Sequence, residues 1–278
     1  MSRGFTVKFW GVRGTVPCPG PDTVTFGGNT ACVEVRCGDQ LLIFDAGSGL
    51  RPLGKALLRT QPPVRAHLFL SHTHLDHILG LPFFKPAYEE GNQFELWNGH
   101  LRRQHKTLKQ VLCRIMEKPY FPVPMDVMHA ALIYRDFDAG EVFRIGEGIK
   151  ISTTQLIHPG GATGYRVEFA GHSFCYVTDT EHTEGQLDQN ILHLIEGGDI
   201  VVYDATYTEP EYERFKRWGH STWQQGVRLC EAAKAGRLVA FHHDPAHDDK
   251  SLSEIDAALQ RARPGSFVAR EGQLLELA

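Results

Sequence analysis

The feature of this 278-residue sequence that most constrains its fold is a dense group of metal-ligand side chains in one short segment. Directly after the strand-like run 66–70, three histidines and one aspartate fall within six residues, at His72, His74, Asp76 and His77. Burying these four polar groups without a metal would require a separate hydrogen-bond partner for each, which is costly. Imidazole nitrogens and carboxylate oxygens are ligands that zinc and similar metals prefer. The segment therefore predicts a metal site at the end of a strand.

Further residues of the same kind follow other predicted strands. Runs rich in branched and aromatic residues predict strands at about 5–10, 31–37, 41–45, 66–70, 94–97, 149–157, 163–169, 173–178, 199–203 and 237–241. His158, Asp179 and His242 each come directly after one of these strands. In open α/β proteins the binding groups lie beyond the carboxyl ends of strands. We therefore expect these three side chains to join the metal motif.

The alternation of strands and helices predicts an α/β (α+β) fold. Helical patterns occur near 50–59, 101–117, 185–196, 222–234 and 251–262. Helices placed between strands are typical of sheets covered by helices, and not of a helical bundle or a pure β-barrel. A chain of this length can bury one large core, so we expect a single domain over 1–278.

Composition excludes some partners. The 29 basic and 33 acidic residues give a net charge of -4, so no overall field attracts nucleic acid or an anionic membrane. No apolar run approaches the roughly 20 residues that span a bilayer, and the N-terminus has no signal-peptide pattern. We expect a cytoplasmic protein with no membrane partner. The six cysteines form no Cys-x-x-Cys pair, which indicates reduced thiols.

The segment from His72 to His77 resembles the His-x-His-x-Asp-His signature of the metallo-β-lactamase superfamily. This resemblance implies a four-layer αβ/βα sandwich with two divalent metal ions, zinc in the first place and manganese or iron as alternatives. The implied ligands of the first metal are His72, His74 and His158. Those of the second are Asp76, His77 and His242, with Asp179 bridging the two. Asp45 resembles the family's strand-ending aspartate, which orients the metal loop.

A second resemblance concerns catalysis. Asp204 and the segment His220-Ser221-Thr222 resemble the acidic residue and the His-Ser-Thr motif of ribonuclease Z and its phosphodiesterase relatives. The resemblance implies that His220 is the general acid for the leaving oxygen, that Asp204 orients it, and that Asp76 accepts or orients the proton of the nucleophile. The nucleophile would be a hydroxide supplied by the two metals. Alternatively, His220 is a loop residue beside a helix N-cap at Ser221 or Thr222.

The spacing of two metal residues bears on the substrate. Ribonuclease Z enzymes that mature transfer RNA carry a long arm between the third metal histidine and the bridging aspartate, whereas only twenty residues separate His158 from Asp179 here. We therefore expect no transfer-RNA partner and a closer likeness to the armless phosphodiesterases, including the cyclic-phosphate diesterase of phosphonate breakdown. The prediction is a binuclear phosphodiesterase for a small or cyclic phosphodiester or a nucleotide. A lactone or thioester hydrolase and a non-catalytic metal or ligand sensor are the alternatives, and a homodimer is possible because many relatives dimerise.

The sequence leaves two alternatives open for the roles of three sets of residues. His242 and His243 are adjacent and both can point inward, although His242 is favoured because it directly follows a predicted strand. In the loop near the N-terminus, Arg13 and Asn29 either contact the substrate or brace the loop. The basic residues within 101–118 either belong to a solvated helix or form a cap over a polyanionic substrate.

Overall fold

A computed structural model describes residues 4–60 and 63–277, and its strands form two seven-stranded sheets. In chain order the strands are β1 (Phe5–Gly11), β2 (Cys32–Cys37), β3 (Gln40–Phe44), β4 (Arg65–Leu70), β5 (Gln93–Asn98), β6 (Ala131–Asp136), β7 (Val142–Ile145), β8 (Ile149–Leu156), β9 (Ala162–Phe169), β10 (His172–Val177), β11 (Ile200–Asp204), β12 (Arg237–Phe241), β13 (Phe267–Val268) and β14 (Leu274–Glu276). The first sheet has the order β14-β1-β2-β3-β4-β5-β6, and the second β13-β12-β11-β10-β9-β8-β7.

Each sheet has a parallel part and an antiparallel part. Strands β3 to β6 run parallel in the first sheet, and β10 to β13 run parallel in the second. The remaining pairs are antiparallel hairpins or edge pairs. Parallel neighbours end at the same edge of a sheet, so side chains that follow them are brought close together.

The helices cover the outer faces of both sheets. They are α1 (Leu50–Thr60), α2 (Leu75–Ile78), α3 (Leu108–Ile115), α4 (Gln189–Ile195), α5 (Glu209–Phe215), α6 (Trp223–Ala232) and α7 (Asp249–Ala262). Apolar residues of α1 and α3 are buried with the first sheet, and those of α4, α6 and α7 with the second. The predicted four-layer αβ/βα sandwich is therefore confirmed. Within the described ranges no helix is both long and apolar enough to cross a bilayer.

An aromatic core lies between the sheets. The ring of Phe44, at the end of β3, has its centroid 5.2 to 5.6 Å from the centroids of Phe69, Tyr165, Phe174 and Tyr176. Phe69 belongs to the first sheet and the other three belong to the second. All five side chains are fully buried. These contacts fix the separation of the sheets directly below the strand ends that carry the candidate site.

The prediction of a single helix over 101–117 is wrong. A 3-10 turn at Arg102–Gln104 ends at His105, which has a left-handed φ of 55°, and α3 begins only after Thr107. The reason is a local capping box, because the Thr107 hydroxyl accepts the backbone N–H of Gln110 and the Gln110 side chain accepts that of Thr107. The sequence patterns also did not predict the strands β6, β7, β13 and β14 or the helices α2 and α5.

Replacing Phe44 by alanine tests the inter-sheet core. We expect Phe44→Ala to lower the free energy of unfolding by about 3–5 kcal/mol, because a buried aromatic ring leaves a cavity between both sheets. Urea denaturation measures the change. Val142→Ala, at a side chain that is 59% exposed on an edge strand, is the control and should change stability by less than about 0.5 kcal/mol. Equal effects of the two substitutions would contradict this picture of the core.

Candidate metal centre

The candidate site lies where strand ends of both sheets meet. The loop after β4 and the short helix α2 supply His72, His74, Asp76 and His77 from the first sheet. The second sheet supplies its residues after β8, β10 and β12. The structure brings all seven sequence-predicted metal residues together in five overlapping groups of possible donors, in which the atoms of each group lie within 4.8 Å of one another.

The first donor group consists of His72, His74 and His158. Nε2 of His158 lies 3.0 Å from Nδ1 of His74, and the ring of His72 lies against both. Burial lowers the pKa of His72 well below its usual value, so this ring is neutral, as a metal ligand must be. Its buried Nε2 has no hydrogen-bond partner among residues 4–60 and 63–277. An unpaired imidazole nitrogen of this kind fits a cation.

The second donor group consists of Asp76, His77 and His242. Oδ2 of Asp76 lies 3.2 Å from Nε2 of His77 and 3.3 Å from Nε2 of His242, and the two imidazole nitrogens are 3.2 Å apart. Burial alone would lower the pKa of His77, but the carboxylates of Asp179 and Asp76 raise it well above its usual value. The negative charge around this ring therefore favours a cation at the same place.

The carboxylate of Asp179 lies between the two groups. Its Oδ1 is 3.7 Å from Nε2 of His72 and 3.8 Å from Nε2 of His158. Its Oδ2 is 3.1 Å from Nε2 of His77 and 3.3 Å from Nε2 of His242. One oxygen therefore faces each donor group. Mixed nitrogen and oxygen donors of this kind fit a divalent cation.

Asp45 orients the metal loop from behind, as the sequence predicts. Nδ1–H of His77 donates to its Oδ2 at 2.8 Å, which leaves Nε2 of His77 facing the donor group. The same fully buried carboxylate accepts the backbone N–H of Ser71 at 2.7 Å and the hydroxyl of Tyr176 at 2.8 Å. Because Tyr176 is in the second sheet, Asp45 also joins the two sheets at the site.

His220 pairs with Asp204 beside the second donor group. Nδ1–H of His220 donates to Oδ2 of Asp204 at 3.0 Å, and that carboxylate is fully buried. Thr206 donates to the other oxygen through its N–H and its hydroxyl. The His220 ring stacks on the ring of His242 with centroids 4.9 Å apart. The alternative capping role belongs to Thr222, whose hydroxyl accepts an N–H at the start of α6.

The side chains of the adjacent His242 and His243 point in different directions, and this distinguishes the two alternatives for the donor residue. His242 faces the second donor group and has a left-handed φ of 62°. The ring of His243 points the other way, and its Nε2 bonds to the carbonyl of Ala269 at 2.9 Å. Burial lowers the pKa of His243 to about 3, so this histidine is a neutral core residue.

Arg13 and Asn29 brace their loop. The Arg13 side chain is fully buried and donates to the carbonyls of Gly27 and His247 at 2.8 and 2.5 Å. The amide of Asn29 donates to Glu271 at 2.9 Å. The guanidinium therefore fastens the loop near the N-terminus to the segment that follows His242.

The same loop contacts the site through residues that sequence reasoning missed. The backbone N–H of Thr15 donates to Oδ2 of Asp76 at 2.8 Å. A Cβ added at Gly14 would lie 2.1 Å from Cε1 of His242, so no larger residue fits there. A backbone donor leaves no signal in the side chains of a sequence, and only the glycine indicates a close approach.

The comparisons with known proteins agree with this geometry. A family model described as a beta-lactamase superfamily domain matches residues 41–243. The chain belongs to the beta-lactamase superfamily and has the metallo-β-lactamase fold. Members of this superfamily support several reactions, so the fold does not by itself name the substrate.

Three similar proteins cover nearly the whole chain. A ribonuclease Z from Haloarcula marismortui is 26% identical in an alignment of 298 positions that covers 91% of this chain and 90% of that protein. A diphosphatase of the PhnP family has a TM-score of 0.70 at 20% identity, over 99% of this chain and 98% of its own. Zn²⁺-bound PqqB from Methylobacterium extorquens has a TM-score of 0.71 at 16% identity, over 98% of this chain and 100% of its own. The two solved structures are similar in fold.

Substituting Gly14 tests the contact of the loop with His242. We expect Gly14→Ala to weaken zinc binding by about 10- to 100-fold, because the new methyl group displaces a ring of the second donor group. Competition with a chromophoric zinc chelator measures the affinity. Gly20→Ala is the matched control in the same loop, since a Cβ there meets nothing within 4 Å. Wild-type affinity in Gly14→Ala would show that the loop does not position His242.

Proposed function

We propose that this protein is a metal-dependent hydrolase of phosphodiester bonds in small substrates. The observation that carries the proposal is the His220–Asp204 pair directly beside two donor groups that share Asp179. Hydrolysis of a phosphodiester needs a nucleophile on one side of phosphorus and a proton for the leaving oxygen on the other. The chain offers groups for both tasks.

Seven residues would hold two divalent ions in this proposal. They are His72, His74 and His158 for one ion and Asp76, His77 and His242 for the other, with Asp179 shared. Zinc is the first choice because these are its preferred ligands, and manganese and iron are the alternatives. When bound, such ions lower the pKa of water towards neutrality and neutralise charge that develops on the phosphoryl oxygens.

His220 would donate the proton to the leaving oxygen. Its Nδ1 is held by Asp204, and its Nε2 makes no hydrogen bond within the described part of the chain, so Nε2 can carry that proton. Burial alone would lower the pKa of His220, but the carboxylate of Asp204 outweighs it and raises the pKa to about 9. Before cations bind, the imidazole is therefore protonated at neutral pH. Asp204 acts as its positioning residue.

Asp76 would orient the attacking water. One of its oxygens accepts the backbone N–H of Thr15 at 2.8 Å, and this contact fixes the plane of the carboxylate. Thr15, which bonds to Asp76, and His74, two residues before it in the chain, are both exposed to solvent. The carboxylate can thus accept a proton from a water that enters between them.

The segment between two metal residues favours a small substrate. The residues between His158 and Asp179 form the hairpin of β9 and β10, which leaves no room for a transfer-RNA arm. The likeness to a ribonuclease Z and to a diphosphatase of the PhnP family supports phosphoryl chemistry at the site. A homodimer and a cytoplasmic location stay predictions.

Leaving groups of different acidity test the role of His220. In zinc-loaded protein, we expect His220→Ala to lower kcat by about 10²- to 10⁴-fold for a phosphodiester with an alkyl leaving group. The loss should be much smaller for methyl p-nitrophenyl phosphate, because p-nitrophenolate departs without a proton. Steady-state kinetics with both substrates measures the difference.

The control is His193→Ala, which removes an exposed imidazole on α4, away from both donor groups. It should keep wild-type kinetics with both substrates. Equal losses in His220→Ala for the two leaving groups would exclude a general-acid role. Turnover of lactones or thioesters without turnover of any phosphodiester would contradict the proposed function itself.

A further inference from the structure

Trp218 is an exposed tryptophan close to the candidate general acid. Its side chain is 63% exposed, whereas Trp10, Trp97 and Trp223 are partly buried. Trp218 precedes His220 by two residues, so their Cα atoms lie within about 7.6 Å of each other. An exposed indole beside a candidate site offers a flat apolar face with a polar N–H, which a ligand can contact.

Aromatic residues hold this ring from behind. Phe215 contacts Trp218 edge to face, with centroids 5.4 Å apart, and stacks on Tyr207 at 4.8 Å. Tyr207 in turn contacts the ring of His220 at 6.0 Å. The aromatic row therefore runs from the catalytic imidazole to the exposed indole. A ring held in this way loses little conformational freedom when a ligand binds to it.

The turn that presents Trp218 is fastened to the site on both sides of that residue. The backbone N–H groups of Arg217 and Gly219 donate to the two carboxylate oxygens of Glu181 at 2.5 and 3.0 Å. The carbonyl of Gly219 accepts Nδ1–H of His158 at 2.7 Å. The position of the indole is therefore coupled to a residue of the first donor group.

Three basic residues, Arg214, Lys216 and Arg217, precede the indole in the chain, and the carboxylate of Glu181 lies beside its turn. The exposed guanidinium groups of Arg214 and Arg217 have no ion-pair partner in the parts of the chain that the structure describes. Lys216, between them, is paired with Glu184 and Glu213. Exposed guanidinium groups close to an exposed aromatic ring suit a ligand that combines phosphate with an aromatic group.

We propose that Trp218 is a stacking platform for a nucleobase on the leaving side of the scissile phosphodiester. The inference rests on the proposed function and narrows its substrates to nucleotide-derived phosphodiesters. With the leaving oxygen at His220, the sugar of a nucleotide spans the short distance to Trp218, and its base can lie on the indole. Purines and pyrimidines both offer a flat face, so the platform accepts either.

Matched dinucleotides test this inference in zinc-loaded protein. The substrates are the deoxyadenosine dinucleotide and the same molecule without the base on its leaving nucleoside, so that the scissile bond and leaving alcohol are the same. We expect wild-type protein to prefer the complete dinucleotide in kcat/KM by about tenfold or more, mainly through KM. Trp218→Ala should abolish that preference, whereas Trp218→Phe should keep most of it. Val142→Ala is the control and should keep the wild-type ratio.

A binding measurement provides a readout that does not depend on turnover. Adenosine 5′-monophosphate should quench tryptophan fluorescence of the wild-type protein, and ribose 5-phosphate should quench it much less. The difference should vanish in Trp218→Phe. Equal quenching by both ligands, or an unchanged dinucleotide preference in Trp218→Ala, would overturn the inference.

The outcomes also separate this inference from the proposed function. Turnover of methyl p-nitrophenyl phosphate without turnover of either dinucleotide would overturn the nucleobase platform and leave the phosphodiesterase intact. Failure of all three substrates in zinc-loaded protein would contradict the phosphodiesterase, and the platform would fall with it.

Discussion

The carboxylate of Asp179 is the constraint on which the rest of the structure depends. Its two oxygens face the two donor groups. Within these groups, neighbouring imidazole nitrogens and the oxygen of Asp76 lie 3.0 to 3.3 Å apart. Buried polar atoms need a hydrogen-bond or charge partner, and Nε2 of His72 has none within the described residues. Cations on both sides of Asp179 would satisfy these donors together. Without them, the buried Nε2 of His72 would stay unpaired, which is costly.

The architecture keeps that cluster assembled from two sheets. The aromatic core around Phe44 sets how far apart the sheets lie, and Asp45, the next residue, bonds to Tyr176 across the gap and to His77 at the site. The loop near the N-terminus closes the remaining side, where Gly14 lies against His242. Packing and site geometry are thus one continuous network of contacts. The His220–Asp204 pair joins this network because Asp204 ends β11, the strand between β10 and β12.

Much of the site is predictable because its ligands leave strong local signals. The histidines from His72 to His77 are clustered in sequence, and Asp179 directly follows an apolar strand. The layered fold is likewise predictable from the order of strands and helices. The choice between His242 and His243 is harder to predict from the sequence, because adjacent residues differ only in the direction that the backbone gives their side chains.

Other features depend on contacts that a sequence does not encode locally. Thr15 contacts Asp76 through its backbone N–H. Trp218 becomes a candidate ligand contact only when its exposure and its contact with Phe215 are known. The interruption before α3 is different, because the capping box of Thr107 and Gln110 is a local pattern that competes with the longer apolar periodicity. In each case a short-range hydrogen bond or a distant packing partner decides the outcome.

Anomalous diffraction from crystals grown with zinc tests the central claim most directly. We predict two anomalous peaks per chain, one on each side of the Asp179 carboxylate, with ligand atoms at about 2.0–2.2 Å. His72, His74 and His158 should surround one peak, and Asp76, His77 and His242 the other. Absence of both peaks, or zinc bound only at places remote from Asp179, would contradict a shared two-metal centre.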